Sequence, residues 1–302
     1  MSRLLAWRAM AEPVHGPLGA VVVTHDRREL LRACLQALAA QTHPLDAILV
    51  VDNACTDGTR EMLTEEFPEV QVHPLPVNEG SSGGFHEGMR RGLELGFAWL
   101  WVMDDDTIPF PDALERLVDG ATRLDELPDP VVLASKVVWS DGNVHPLNGP
   151  GLRLNDIDLF LRASERGVLP LLWNTFPAAL LKAEALERHG LPLKHFWIWG
   201  DDIEFFARLM HDEVGYLIPD SVAEHRTKAP APPWEGGDRF YYALRNGIYI
   251  VRGQSLPPAE RRGFVLLVVS QSVRYLMTNR FRPHSIALVL RGLRDGLRGP
   301  GS

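Results

Sequence analysis

The chain has 302 residues, 45% of them hydrophobic, and a formal charge of −8. That length holds one large α/β domain with an appendage or two modest domains, and the negative balance argues against nucleic acid as the main partner, since phosphate backbones need a surplus of Lys and Arg. Two cysteines, Cys34 and Cys55, can build neither a disulfide framework nor a zinc knuckle and fit a reducing, cytosolic compartment; residues 1–13 carry no apolar segment long enough for a signal peptide or a membrane span.

Leu18 to His25 is a continuous run, rich in valine, of the kind expected for a buried parallel strand. Leu30, Leu31, Cys34, Leu35 and Leu38 then recur at helical spacing over Arg28 to Ala40, with Cys34 as a buried structural thiol. Ala47 to Asn53 forms a second strand and completes a βαβ unit. A helix over Thr59 to Phe67, a strand over Val70 to Pro74, a Gly/Ser-rich loop from Asn78 to Gly88 and a helix over Gly88 to Gly96 lead to the strand that ends at Asp104. The first third therefore reads as a doubly wound, mostly parallel α/β sheet, in which ligands sit outside the carboxyl ends of the strands. By that rule Thr24, His25, Asp52, Asn53 and the cluster from Asp104 to Asp106 share one rim.

The run from Leu100 to Thr107 is the most informative: an apolar strand ending in three consecutive carboxylates. Adjacent anions repel unless a cation neutralises them, and carboxylate oxygens suit Mg²⁺ and Mn²⁺. An acidic loop or helix cap ahead of Pro109 and Pro111 explains the triplet equally well. The Asn78–Gly88 loop has the small residues that let backbone N–H groups approach a phosphate, though a Gly/Ser-rich surface loop has the same composition.

Val131 to Leu172 alternates short apolar runs with Gly, Asn, Asp and Pro and reads as an irregular acceptor-side region. After a helix-like Ala183 to His189, the stretch Phe196 to Leu209 leads from Trp197 and Trp199 into Asp201 and Asp202, with Glu204, Phe205, Arg208 and Leu209 at helical spacing. Indoles offer a flat face to a sugar ring, and a partly desolvated carboxylate suits general-base work on a hydroxyl; an acidic helix cap beside core aromatics is the other reading. Ile218 to Thr227 places His225 at the end of a short apolar strand, where a neutral imidazole can complete a metal site. The Pro/Gly-rich 229–237 reads as a lid loop, followed by helices over Arg239 to Val251 and Gly263 to Met277. The latter, about fifteen residues and too short to span a bilayer, is flanked by Arg261, Arg262, Arg274, Arg280 and Arg282. It can rest at a membrane interface, although apolar runs of this length more often pack on the catalytic domain or on a second subunit of a homo-oligomer.

Val21-Val22-Val23-Thr24-His25, Val50-Val51-Asp52-Asn53, the Asn78 to Phe85 segment, Met103-Asp104-Asp105-Asp106 and Gly200-Asp201-Asp202-Ile203-Glu204, in this order and spacing, resemble the family 2 glycosyltransferases of GT-A fold, nearest the bacterial galactofuranosyl- and rhamnosyltransferases. The resemblance implies a GT-A catalytic domain over 17–228 between an extension at 1–16 and a C-terminal helical extension at 229–302. It implies that Thr24 and Asp52 hold the nucleotide base and ribose, that Asn78, Gly83 and Gly84 lie by the sugar and diphosphate, and that Asp105 faces the donor sugar. Asp104, Asp106 and His225 then match metal ligands for Mn²⁺ or Mg²⁺, Asp202 the catalytic base and Asp201 its acidic neighbour, with Trp197 and Trp199 on the acceptor side. The implied partners are a UDP- or dTDP-linked sugar and a glycan or polyprenyl-linked acceptor. Glu79 departs from the pattern, because an anion beside a diphosphate is unfavourable unless its side chain turns away. A sugar-phosphate nucleotidyltransferase is the rival, but Thr24-His25-Asp26-Arg27 lacks the glycines its first loop needs; a non-catalytic carbohydrate-binding relative would not need Asp202.

Overall fold

A computed structural model describes residues 14–227 and 232–300; the N-terminal stretch to residue 13 and the first part of the 229–237 loop lie outside the described residues. The order begins β1 (Leu18–Thr24), α1 (Arg28–Ala39), β2 (Ala47–Asp52), α2 (Thr59–Glu66), β3 (Gln71–Pro74), α3 (Gly80–Glu94) and β4 (Trp99–Asp104). The sheet continues with β5 (Thr107–Pro109), β6 (Pro130–Val138), β7 (Gly151–Leu152), β8 (Leu169–Trp173), β9 (Ala179–Lys182) and β10 (Val214–His225). These ten strands run β3-β2-β1-β4-β9-β6-β10-β8-β7, with β5 paired to β10. The four strands β3, β2, β1 and β4 are parallel neighbours, and β9 joins β4 antiparallel. Both faces are covered, so each central strand is apolar throughout: in β4, Trp99, Trp101 and Met103 enter one core while Leu100 and Val102 enter the other.

The helix expected over Gly88 to Gly96 begins eight residues earlier, at Gly80. What reads as a loop in sequence is the first two turns of α3, where small residues allow close packing. A Cβ on Gly84 would stand 2.4 Å from Val23 Cγ1 and one on Gly88 2.6 Å from Val21 Cγ1. The region 131–172 is also more regular than expected. It contains β6, a nine-residue central strand, then β7, α5 (Ile157–Ser164) capped by the Asp156 carboxylate accepting from Leu159 N–H, and β8. The strand leading to His225 is twelve residues long and starts at Val214.

Helices α4 (Ala113–Thr122), α6 (Ala183–His189) and α7 (Asp201–Leu209) complete the sheet's layers. Beyond them α8 (Phe240–Arg252), α9 (Pro258–Thr278) and α10 (Pro283–Arg298) share a cluster of Phe240, Leu244, Ile248, Tyr275, Leu288 and Val289. Of the apolar run of α9, Phe264 packs against the cluster of Phe196, Ala207, Ile250 and Leu256, and Val268 and Leu276 join the helical cluster, while much of the rest faces outward. Tyr275 is its single buried residue, and Leu266, Val269 and Met277 are 71%, 55% and 62% exposed. Although α9 has 21 residues, no helix among the described residues is long and apolar enough to cross a membrane.

Candidate active site

The strand order reverses between β1 and β4, and at this switch point a doubly wound sheet opens a crevice. Register places Val23 beside Asp104 and Thr24 beside Asp52. After Asp104 the chain turns into β5, whose antiparallel pairing sets Thr107 against His225. The sheet thus delivers the imidazole to the strand tip. His225 Nε2 lies 3.0 Å from Asp106 Oδ1, and donor atoms of Asp104, Asp106 and His225 all fall within 4.8 Å of one another. On its other side His225 Nδ1 is 2.8 Å from Asn148 Oδ1, while Asn148 Nδ2 donates to Thr175 Oγ1 at 3.1 Å. A carboxamide oxygen can only accept, so Nδ1 carries a proton; against the cost of burial, the Asp106 hydrogen bond and charge raise the imidazole, so Nε2 also donates to that carboxylate and would give up this proton to a bound cation.

Burial first, then the neighbouring Asp106 charge, pushes the Asp104 carboxyl up to about 7, and burial pushes Asp105 up to about 6 against the opposing Arg27. Asp106 is buried too, but the His225 hydrogen bond and charge and the nearby Arg27 hold it below the usual range. Arg27 Nη1 donates to Asp106 Oδ2 at 2.7 Å and to Asp105 Oδ1 at 3.2 Å, and Thr24 Oγ1 donates to Asp105 Oδ2 at 2.8 Å. Two carboxylates and one imidazole converging in a site that disfavours bare negative charge form a donor set suited to Mn²⁺ or Mg²⁺.

Facing this tip is the first turn of α7. Burial, with the Asp202 charge behind it, pushes Asp201 up to about 7; burial pushes Asp202 up to about 6, opposed by the Ile203 N–H it accepts at 2.8 Å and reinforced by Asp104. Asp201 Oδ2 is buried without a hydrogen-bond partner. Both aspartates, Asp104, Asp106, His225 and Trp199 line one cleft of about 1080 Å³. Its wall carries eight carboxylates against four arginines, Arg27, Arg28, Arg226 and Arg239. An anionic diphosphate enters such a cleft only with a cation.

The remaining expected residues distribute unevenly. Thr24 and Asp105 are buried beneath the tip, bonded to each other. Asp52 is fully buried and engaged by Arg60 Nη2 at 2.7 Å and Cys55 N–H at 2.8 Å, so its side chain faces away from the cleft wall, which here comprises Asp26, Arg27, Arg28 and Asp57. Asn78 Oδ1 accepts from Gly80 N–H at 2.8 Å, turning the chain into α3. Gly83 and Gly84 pack against Glu79 and Val23 inside the fold, and Ser81 is the residue of that segment that reaches the cleft. Trp197 lies over Gly80, outside the cleft lining, whereas Trp199 borders the cleft and abuts Gly236. Glu79 does turn away: its Oε2 accepts from Lys194 Nζ at 2.8 Å. Arg27 and Asn148 escaped the sequence reading. A basic residue after the first strand was visible there, whereas Asn148 sits in a stretch whose pattern carries no signal.

Residues 20–187 match glycosyl transferase family 2. The chain belongs to that family. It is 31% identical over 262 residues to galactofuranosyltransferase GlfT1 of Mycobacterium tuberculosis, covering 77% of this chain and 81% of that protein. To GlfT1 of Mycolicibacterium smegmatis it is 30% identical over 63% of this chain and 64% of the relative, so it spans just under two thirds of that protein's length. A third relative, N-acetylglucosaminyl-diphospho-decaprenol L-rhamnosyltransferase of M. tuberculosis, is 25% identical over 61% of this chain and 59% of its own. Among solved structures, S. aureus TarS 1-349 in complex with UDP superposes with a TM-score of 0.61 at 16% identity, covering 95% of this chain and 81% of that one. The mannosyltransferase PcManGT from Pyrobaculum calidifontis in complex with GDP-Man and Mn²⁺ gives 0.55 at 18%, covering 98% and 79%. These likenesses fix the fold of this glycosyltransferase as GT-A. Asp201, Asp202 and His225 lie beyond the family match, so their place in the cleft rests on the geometry above.

Proposed function

We propose that the protein is a metal-dependent, inverting glycosyltransferase that moves galactofuranose or rhamnose from a UDP- or dTDP-linked donor to a hydroxyl of a glycan or lipid-linked glycan. The observation that carries this reading is the pair of carboxylate groups, Asp104/Asp106 with His225 and Asp201/Asp202, opposed across one cleft of a family 2 chain. Asp104, Asp106 and His225 would hold the cation, which when bound neutralises the diphosphate and the charge that develops on the departing nucleotide. Arg27 ties Asp106, on the cleft wall, to Asp105 buried beneath it. Asp202, desolvated and so proton-hungry, accepts the acceptor hydroxyl's proton as that oxygen attacks the anomeric carbon from the face opposite the leaving group. A single displacement of this kind inverts the anomeric configuration. The names of the GlfT1 and rhamnosyltransferase relatives support the choice of sugar, and the diphospho-decaprenol in the latter's name supports a lipid-linked acceptor. The test is a panel of nucleotide sugars with Mn²⁺ or Mg²⁺: release of nucleoside diphosphate from the galactofuranose or rhamnose donor, lost with chelator, is expected. Pyrophosphate release would point to a nucleotidyltransferase, and no turnover of any donor to a binding relative.

The exposed face of α9 and α10 fits the lipid-linked acceptor. Leu266, Val269, Val273 and Met277 follow one stripe of α9, and Leu290 and Leu297 are 61% and 62% exposed on α10. Residues 253–302 hold eight arginines against two carboxylates, Glu260 and Asp295, in a chain that is otherwise strongly acidic. An apolar stripe rimmed by arginine suits the headgroup region of an anionic bilayer, each surface arginine adding about 1 kcal/mol. Co-sedimentation with phosphatidylglycerol vesicles at low salt, reduced at least tenfold by Leu266→Glu with Val269→Glu, is the expected outcome. Self-association that these substitutions abolish, without vesicle binding, would assign the stripe to a second copy of the chain.

A further inference from the structure

The backbone that carries the two aspartates into the cleft is bent in a way that few residues tolerate. Trp197 has φ +68°, Trp199 +64° and Gly200 +79°. Only the glycine is at ease there, since a bulky L-residue in the left-handed region costs on the order of 1–3 kcal/mol. Those φ values turn the Trp197 carbonyl away from the carbonyls on either side of it. Trp197 C=O accepts from Ser82 N–H of α3 at 3.2 Å, whereas the carbonyls of Phe196, Ile198 and Trp199 converge on one atom, Asn246 Nδ2 of α8, at 2.9, 2.9 and 2.8 Å. Asn246 is fully buried. Its two N–H bonds are shared among three oxygens, and its own Oδ1 accepts from Arg245 Nε at 3.0 Å. Arg245 Nη2 donates in turn to the carbonyls of His195 and Phe196 at 2.7 and 2.8 Å. Five hydrogen bonds from two adjacent residues of α8 therefore end on the loop that delivers Asp201 and Asp202.

We propose that Asn246, supported by Arg245, is a positioning residue for the transfer reaction: its side-chain amide holds the strained 196–200 turn in the only shape that aims Asp202 and Trp199 into the cleft. This rests on the reading of Asp202 as the base. It gives the C-terminal helices a part in the chemistry, since without α8 the Ile198 and Trp199 carbonyls would each be a buried acceptor without a donor, while Phe196 C=O keeps the Ile198 N–H at 2.8 Å. The requirement is for a donor of this size. Asn246→Asp keeps shape and volume but sets a carboxylate against three carbonyl oxygens, and Asn246→Ala leaves those of Ile198 and Trp199 unpaired.

The test measures transfer kinetics, donor affinity and amide exchange on the full chain. Asn246→Ala and Asn246→Asp are expected to lower kcat by on the order of 10²-fold, the effect of misplacing a reacting group by about 1 Å. Nucleoside-diphosphate affinity in the presence of Mn²⁺ should stay within twofold of the parent, and faster amide exchange should be confined to 195–204 with β4 and α1 still protected. Arg245→Ala, which leaves the buried amide in place, should give the same pattern at roughly tenfold. Unchanged kcat in Asn246→Ala, kcat retained by Asn246→Asp, or exchange that spreads over the sheet would each overturn the proposal. If the parent chain turns over no nucleotide sugar, the functional reading falls, while the exchange still decides whether Asn246 holds the turn.

Discussion

The two carboxylate groups that face each other across the cleft are built by opposite means. Asp104 and Asp106 sit at the end of a central strand whose register with β1 and β9, and through β5 with β10, follows from main-chain pairing of hydrophobic strands. Asp201 and Asp202 follow a turn of left-handed residues that no ladder supports, held by a main-chain N–H of α3 and side chains of α8. The first group is positioned by the core and, on the proposed reading, relies on a cation to relieve its charge. The second is positioned by a few buried hydrogen bonds and needs desolvation to keep its proton affinity. Substitutions should therefore act differently on the two sides, on binding of the donor complex at the tip and on the rate of chemistry at the turn.

The largest effects are expected at the tip. Asp104→Ala and Asp106→Ala should each reduce turnover by roughly 10³-fold or more, because a cation's several kcal/mol of charge stabilisation goes with its ligands, and calorimetry should show Mn²⁺ binding lost. Full activity of either variant in chelator would remove the metal from the mechanism. On the other side Asp202→Asn should cut kcat by about 10²–10⁴-fold while Mn²⁺ and nucleoside diphosphate still bind. A dead Asp201→Asn beside an active Asp202→Asn would exchange the roles of the two residues.

Burial leaves a pH signature on the metal-free protein. Asp104 and Asp201 are raised to about 7, and Asp105 and Asp202 to about 6. Between the ordinary carboxylate range near 4 and pH 7 the folded chain thus binds more protons than the unfolded one. Stability that is present below pH 4 is lost as pH rises through that window. His145, held down at about 4 by burial, and His195, lowered by burial and by the Arg245 charge, work in the opposite sense, two groups against four. The Tm of metal-free protein should fall from pH 5 to pH 7. Mn²⁺ should abolish the part contributed by the tip, and Asp201→Asn the part contributed by the turn. A Tm that rises across this range would contradict the burial of both groups.

The same contrast decides what the sequence made legible. Strand tips are readable because a continuous apolar run that stops at a carboxylate has one structural outcome, and β1, β2 and β4 end where Thr24, Asp52 and Asp104 say they should. The glycines and serines after Asn78 misled: the composition of a phosphate loop is also that of a helix pressed onto a strand, and only the contacts of Gly84 and Gly88 with β1 separate the two. The region 131–172 was unreadable for the converse reason, since β7 is two residues long and β6 is followed by an irregular stretch that brings Asn148 to His225. No local pattern announces Asn246 either. It looks like an ordinary helical polar residue, and its importance comes from three carbonyls distant in sequence.

A smaller, separable effect is expected at Asn148. From the cleft wall its carboxamide fixes the His225 ring, so Asn148→Ala should lower Mn²⁺ affinity by about 10–100-fold, the usual range for a residue that orients a metal ligand, with kcat recovered at saturating metal. A kcat that stays low under saturation would mean that Asn148 acts on substrate instead.

The mildest prediction concerns Trp199. A Cβ on Gly236 would fall 2.3 Å from its Cη2 and 3.0 Å from its Cζ3, closer than real Cβ contacts allow. Gly236 has φ −73°, so alanine fits its backbone, and most of the cost falls on the indole, with a lesser contact of 3.1 Å to Pro233 O. Gly236→Ala should therefore shift Trp199 along the cleft wall while leaving Asp202, which follows a turn whose carbonyls are held from α3 and α8, in place. A base-side distortion would lower kcat, whereas a displaced acceptor platform should raise the acceptor KM by a few-fold, the effect of about 1 kcal/mol of lost stacking, with kcat and donor affinity unchanged. Equal KM values in the two proteins would remove Trp199 from acceptor binding and leave the indole as packing for the segment around Gly236.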